Sequence, residues 1–319
     1  MRLGVEAVAT RAREIGFLAC GVAQLGPSQR AAALDDWLAR GYAGTMRYLH
    51  RQAKKRKNPA LIVRGAKVAV VVLENYLPRS GPTVRPSGRP SVSLAKYAQG
   101  ADYHVVMMRR LEALAGFLLE HGATMARPWV DSGPVPEREL AERAGLGWIG
   151  KNTMLIRPGV GSFFFIGTVF TDLALEPAVP MATDHCGTCT RCLDACPTRA
   201  LVAPRLLDAT RCISYLTIEQ KRPIPEDMAA QLGGWTFGCD VCNDVCPWNE
   251  RFAVATPRPE YQRRSDPDEA NPEYFERMDA GEFEARFGDT PLARPGLERM
   301  RRNWRAAWGS LAERQGRCS

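Results

Sequence analysis

The chain has 319 residues, ten of them cysteine, and a formal net charge of +8 at pH 7. That length accommodates one large domain or two of ordinary size. No stretch approaches the ~18 apolar residues that span a bilayer, and the opening MRLGVEAVATRAREIG is charged throughout, unlike a secretory leader.

In chain order, the apolar spacing predicts a helix from Gly4 to Ile15 and another from Ser28 to Arg40, stopped by Gly41. The basic run RQAKKRK at 51–57 leads to the helix-breaking pair Asn58-Pro59. AKVAVVVLENY, β-branched from Val68 to Val72, reads as a buried strand. A Pro/Gly-rich loop at 79–90 and a short strand SVSLAKYA follow. Asp102 is the expected N-cap of a helix that Gly122 ends. The strand TMARPWVD then delivers Asp131 at its end, and PERELAERAGLG forms a short helix. TMLIRP and SFFFIGTVFT, joined by GVG, read as a hairpin. Alternating helices and strands predict an α/β (α+β) domain with a mixed central sheet.

The densest signal lies between Cys186 and Pro247. HCGTCTRCLDACP places Cys186, Cys189, Cys192 and Cys196 in the bacterial C-x2-C-x2-C-x3-C-P pattern; FGCDVCNDVCPW repeats its last three positions with Cys239, Cys242 and Cys246. In two-cluster ferredoxins the fourth cysteine of each run ligates the other cluster. One [4Fe–4S] cube then takes Cys186, Cys189, Cys192 and Cys246. The second takes Cys196, Cys239 and Cys242, and Thr236 stands where its remaining ligand belongs. Cys212, isolated in DATRCISYL, is assigned as that ligand. Paired zinc knuckles are spaced differently, and cysteines three apart are poorly placed for disulfides. Cys20 and Cys318 are left as a buried apolar residue and a tail thiol. Oxidation-sensitive thiolates point to the reducing cytoplasm. Expected boundaries are 1–180 for the α/β domain, 181–250 for the cluster module and 251–319 for a basic C-terminal helical extension.

Asp131, at a strand end flanked by Trp129, Val130 and Pro134, reads either as an Asx turn or as a carboxyl desolvated enough to act as an acid. Gly145, Gly147 and Gly150 with Lys151 lack the dinucleotide and P-loop patterns, so no such site is indicated. Tyr97, Asp102 and His104 form a second polar knot. Further basic runs, RPEYQRR at 258–264 and RMRRNWRAAW at 299–308, carry aromatic residues that could stack on bases, although a basic run is more often a solvated face.

WVDSGPVPERELAERAGLGWIGKNTMLI, GSFFFIGTVFTDL, ARCISYLTIE and the two cysteine runs together resemble the epoxyqueuosine reductases, as do KYAQGADYH and MRRNWRAAWG. The resemblance implies a cobalamin-binding α/β domain fused to a two-[4Fe–4S] module that reduces epoxyqueuosine to queuosine at the wobble position of tRNA. It implies Asp131 as proton donor and the eight cysteines as cluster ligands. An unidentified low-potential electron donor is expected, and a monomer without membrane attachment. Arg56, Tyr97, Asp131, Lys151, Ser214 and Asp240 are the candidate cobalamin contacts, together with backbone amides around Ile166 to Thr168. Many members of that family continue into a helical-repeat domain, whereas this sequence ends at Ser319, so tRNA contact is expected from the core and the basic tail. The alternatives are a corrinoid reductive dehalogenase and a ferredoxin-type carrier; WVDSGP and GLGWIGKN favour the tRNA enzyme.

Overall fold

The computed structural model describes residues 3–79, 91–181 and 184–316, so most of the predicted 79–90 loop and Cys318 lie outside it. The chain divides into two compact units. One joins 1–75, 103–189 and 247–253; the other joins 76–102, 190–246 and 254–319. The three successive segments expected from the sequence are thus replaced by interleaved ones. Pairing of Ser93–Leu94 with Trp235–Phe237 draws residues 76–102 into the second unit. Asn249, bonded to Ser162 through both its amide atoms, draws 247–253 into the first.

The first unit is built on four strands: β1 (Ala19–Gln24), β2 (Val68–Asn75), β3 (Ala126–Val130) and β4 (Phe164–Thr171), ordered β1–β2–β4–β3. Every neighbouring pair is antiparallel, so the sheet is not the mixed one expected. The register gives the reason. β2 and β3 run the same way, as a crossover predicts, but β4 inserts between them against both. The chain reverses at the predicted GVG turn through the antiparallel Arg157–Gly161 bridge, but with both edges of β4 taken the hairpin goes no further, and Leu155–Ile156 pairs instead with Trp148–Ile149.

Helices α1 (Val5–Ile15), α2 (Ala31–Ala39), α3 (Arg47–Arg51), α4 (Ala53–Lys57), α5 (Tyr103–Glu120) and α6 (Glu137–Arg143) belong to this unit, as does the helix Pro247–Phe252. β2 is buried on both faces from Val68 to Glu74, which its run of valines anticipates. Alternate residues Ala69, Val71 and Leu73 join Leu140 and Ala141 of α6 and Ala144 at its C-cap in one core. On the other face Gly167 lies so close to α5 that an added Cβ would stand 2.9 Å from Leu111.

In the second unit, α7 (Ile213–Ile218) and α8 (Leu297–Gly316) enclose the Ser93–Leu94/Trp235–Phe237 pair. Phe237, Phe275, Phe283, Phe287 and Trp304 form its core. Carbonyls of Leu216, Thr217 and Ile218, left open at the α7 C-terminus, accept from Arg302, Asn303 and Arg299 of α8 at 2.9, 2.7 and 2.9 Å. The basic run at 299–308 therefore turns inward as a clamp. Arg301 is spent on the carbonyls of Phe275 and Met278, Arg305 pairs with Glu276, and Trp304 is fully buried. The 258–264 run behaves likewise, with Tyr261 buried and Arg264 paired to Asp289. Of the aromatic residues expected to stack on bases, Tyr261 and Trp304 are buried, and Trp308 packs partly buried against the core. No helix among the described residues is long and apolar enough to cross a membrane.

Candidate active site

β3 pairs with β4 only as far as Val130–Gly167, while β4 continues along β2 to Phe164–Asn75. At that corner the chain leaves the sheet through Asp131, whose backbone lies in the left-handed region (φ 43°). The turn sends the Asp131 side chain outward, 55% exposed, so the expected apolar enclosure by Trp129, Val130 and Pro134 does not form. Polar contacts hold it instead. The Tyr103 hydroxyl, at the start of α5, donates to Asp131 Oδ2, and His104 Nε2 stands 4.0 Å from the same oxygen. The Asp131 N–H donates to Glu137 Oε1 at 2.6 Å. Desolvation, then the neighbouring Asp131 charge, raises the Glu137 carboxyl well above the usual carboxylate range.

Arg56, at the end of α4, donates to the Gly133 carbonyl at 3.0 Å, and burial lowers its pKa. Gly133 has φ 69° and lies against the Trp129 ring, where an added Cβ would stand 2.7 Å from the indole. Tyr103 also stacks between Phe165 and His104, with ring centroids 4.2 and 4.1 Å away. Asp131 therefore projects beside a column of three flat rings. Tyr103 and Glu137 were not singled out in the sequence. Their signals were the position directly after Asp102 and the start of the helix six residues beyond Asp131.

The remaining candidates fall elsewhere. Lys151 does not face an open site: its Nζ donates to the carbonyls of Gly187 and Cys189 at 2.6 and 2.9 Å. It ties down the loop of the first cysteine run. Trp148 is edge-on to both His185 and Trp248 in the same unit. The amides of Ile166 to Thr168 belong to the central strand β4, paired with Leu73, Val72 and Val71. In the second unit Tyr97 lies over Gly238, which precedes Cys239. Asp240 is buried, accepts from the Lys96 N–H at 2.7 Å, and is pushed up to about 6 by burial. Ser214 follows Cys212 in the first turn of α7.

Cys196, Cys212, Cys239 and Cys242 all belong to the second unit and lie within electrostatic reach of one another. Burial first, then their mutual charges, raises the Cys239 and Cys242 thiols. Burial raises Cys212 too, partly offset by the backbone N–H groups of Ser214 and Tyr215. The Ala200 N–H reaches Cys196 Sγ at 3.2 Å. Thiols buried this closely resist ionising unless a cationic core compensates them, which is the chemistry an iron–sulfur cube supplies. Thr236, at the position lacking a cysteine, is buried with its hydroxyl on the Ser93 carbonyl at 3.1 Å. Among the described residues no three His, Cys, Asp or Glu converge as ligands of a single ion; a cube holds its thiolates further apart. The short helices Arg191–Asp194 and Val241–Asp244, one from each run, pack together. Of the first set, Cys186 and Cys189 belong to the first unit and Cys192 and Cys246 to the second. Burial pushes Cys20, on β1, up to about 12, which marks an inert thiol.

An antiparallel α+β unit with an acidic corner, joined to paired cysteine runs, defines an iron–sulfur oxidoreductase. Residues 185–249 match the family model of the 4Fe-4S double cluster binding domain, and residues 56–132 match that described as epoxyqueuosine reductase QueG, DUF1730. The epoxyqueuosine reductase of Xanthomonas campestris pv. campestris is 44% identical over 93% of this chain and 84% of that protein. That of Pseudomonas aeruginosa is 41% identical over 93% and 83%. A crystal structure of epoxyqueuosine reductase with a tRNA-Tyr epoxyqueuosine-modified stem loop superposes with TM-score 0.89 at 30% identity, covering 96% of this chain and 80% of that one. A Bacillus subtilis structure, its catalytic aspartate loop swung out of the active site, gives 0.85 at 30% identity over 96% and 81%. The chain belongs to the epoxyqueuosine reductase family.

Proposed function

We infer that this protein reduces epoxyqueuosine to queuosine at the wobble position of tRNA, with Asp131 as the proton donor. Removing the epoxide oxygen as water and leaving an alkene takes two electrons and two protons. The paired cysteine runs carry the iron–sulfur clusters that deliver electrons singly. Cobalamin, when bound, supplies the low-potential electrons at the substrate carbon. The first unit offers a flat macrocycle one feature: His104, stacked on the buried Tyr103 and Phe165 rings, is about a third exposed beside the acid. Of the six candidate contacts, Lys151 and Asp240 are less suited, because their polar atoms are already committed to backbone groups. Arg56, in the same unit as Asp131, keeps a buried Nε with no hydrogen-bond partner among the described residues and is the candidate that the first unit offers.

The observation that carries the reading is Asp131, fixed from two sides by the Tyr103 hydroxyl and the Glu137 carboxylate and open to solvent on the third. Such a group can hand a proton to an oxygen arriving from outside, and a positioned acid contributes ~10^2–10^4-fold in rate. The swung-out catalytic aspartate loop of the Bacillus subtilis relative is in keeping with a mobile acid at this corner. Tyr103 and Glu137 orient the acid here, and Arg56 braces its loop through Gly133. The protein works in the cytoplasm as a monomer, fed by a low-potential donor.

The test is anaerobic: protein reconstituted with iron, sulfide and cobalamin receives a strong reductant and epoxyqueuosine-containing tRNA, and nucleosides are analysed after digestion. Queuosine is expected. Unchanged epoxyqueuosine, with dechlorination of a halophenol instead, would move the protein to the dehalogenases; absence of any corrin spectrum would leave an electron carrier.

A further inference from the structure

The positive charge of this chain is concentrated. Residues 37–73 contain nine Lys or Arg and neither Asp nor Glu, against a net charge of +8 for the whole chain. The other two basic runs are consumed by carbonyl caps and ion pairs within the second unit. Within 37–73, Arg40 pairs with Asp36 and Lys57 with Asp35, and Arg56 turns into the Asp131 loop. Arg64 and Lys67 precede β2 and lie toward its Val68–Thr171 end, whereas Asp131 follows the Val130–Gly167 pair near the other.

Arg47, Arg51, Lys54 and Lys55 remain. All four are exposed, and none makes an ion pair or side-chain hydrogen bond among the described residues. They lie on α3 and α4, which follow each other with only Gln52 between. Arg47 and Arg51, at i and i+4, share a face of α3, and Lys54 and Lys55 are neighbours on α4. Arg56, the residue after Lys55 on α4, touches Gly133. Lys54 and Lys55 therefore sit on the helix that reaches the Asp131 loop, about one helix diameter, roughly 10 Å, from it, and α3 with Arg47 and Arg51 leads directly into that helix.

We propose that Arg47, Arg51, Lys54 and Lys55 form a docking face for the phosphates of the tRNA strand flanking the nucleoside presented to Asp131. The partner class follows from the charge: four unpaired cations with no carboxylate among them suit a polyanion whose charges recur along a strand. The proposal rests on the function inferred above.

The test replaces all four residues by Gln, a good helix former, and measures binding of an epoxyqueuosine-containing anticodon stem loop against salt. A second variant, Arg64→Gln with Lys67→Gln, removes charge from the far end of β2. For single-strand contacts each lost phosphate lowers the log–log salt slope by ~0.7, so roughly three units should vanish, with affinity near 0.1 M salt falling on the order of 10^2-fold. The rate at saturating stem loop and the iron content should stay at wild-type values, and the far-end variant should keep the wild-type slope. Wild-type affinity and slope in the fourfold variant would overturn the proposal, and so would an equal loss in the far-end variant. Failure of the function itself reads differently: wild-type protein would then form no queuosine, whatever the variants bind.

Discussion

Replacing Lys151 by Met should release the first cluster and leave the second in place. The ammonium donates to the carbonyls of Gly187 and Cys189 at 2.6 and 2.9 Å, inside the loop that carries Cys186 and Cys189. Hydrogen bonds from a charged donor contribute ~1.5–3 kcal/mol each. Lys151 is only half-buried and water can replace part of the loss, so about 2–4 kcal/mol is expected from the pair. That corresponds to a roughly 30- to 800-fold shift in the equilibrium holding this loop in place. Met keeps the length and apolar stem, so the change isolates the ammonium. The assay is iron per protein after anaerobic reconstitution and a mild chelator challenge, read beside the electron paramagnetic resonance of the reduced protein. Wild type should retain about eight iron atoms and Lys151→Met about four. Where the first cluster survives, loss of a nearby positive charge should make its potential more negative. Lys151→Arg, which keeps the charge, should fall between. Full iron content with unchanged potential and chelator kinetics in Lys151→Met would refute the role of the ammonium.

Further outcomes follow from the same geometry. Asp131→Asn should keep iron content and stem-loop affinity but lose ~10^2–10^4-fold in single-turnover rate; wild-type turnover would remove Asp131 from the chemistry. Cys212→Ala should leave about four iron atoms, those of the first cluster, and full iron content would show that another group supplies the ligand. Because Glu137 has a folded-state pKa above its unfolded one, the folded protein holds this proton at a pH where the unfolded chain has released it. Its contribution to stability is thus present below the ordinary carboxylate range and is lost as pH rises through the raised value. Glu137→Gln should flatten that part of a denaturation-versus-pH curve, and an unchanged slope would argue against the burial. Arg302→Met removes donors to the carbonyls of Leu216, Gln220 and Arg222. It should cost about 2–4 kcal/mol in urea denaturation, and an effect below half of the lower figure would mean that water replaces the clamp.

The sequence alone determined what depends on local spacing. Three cysteines at intervals of three, then C-P, encode a cluster-binding turn within thirteen residues, and the valines of β2 encode a strand buried on both faces. The place of Asp131 at the end of a strand was legible as well, because Ser-Gly-Pro directly after it stops the strand. Tertiary structure decided everything that depends on what a side chain meets across the chain. The arginines of 299–308 read as an RNA-binding surface until α8 folds against α7, whose open carbonyls take them up. Lys151 looked like a ligand contact, yet its partners lie 36 and 38 residues away. The surroundings of Asp131 depend on the tertiary structure for the same reason: a left-handed backbone turn and the distant Tyr103, not the apolar neighbours in sequence, set where the carboxylate points. Spacing along the chain fixes backbone periodicity and ligand sets contained in one turn. Hydrogen-bond partners and solvent exposure are fixed only when segments far apart in sequence close on one another.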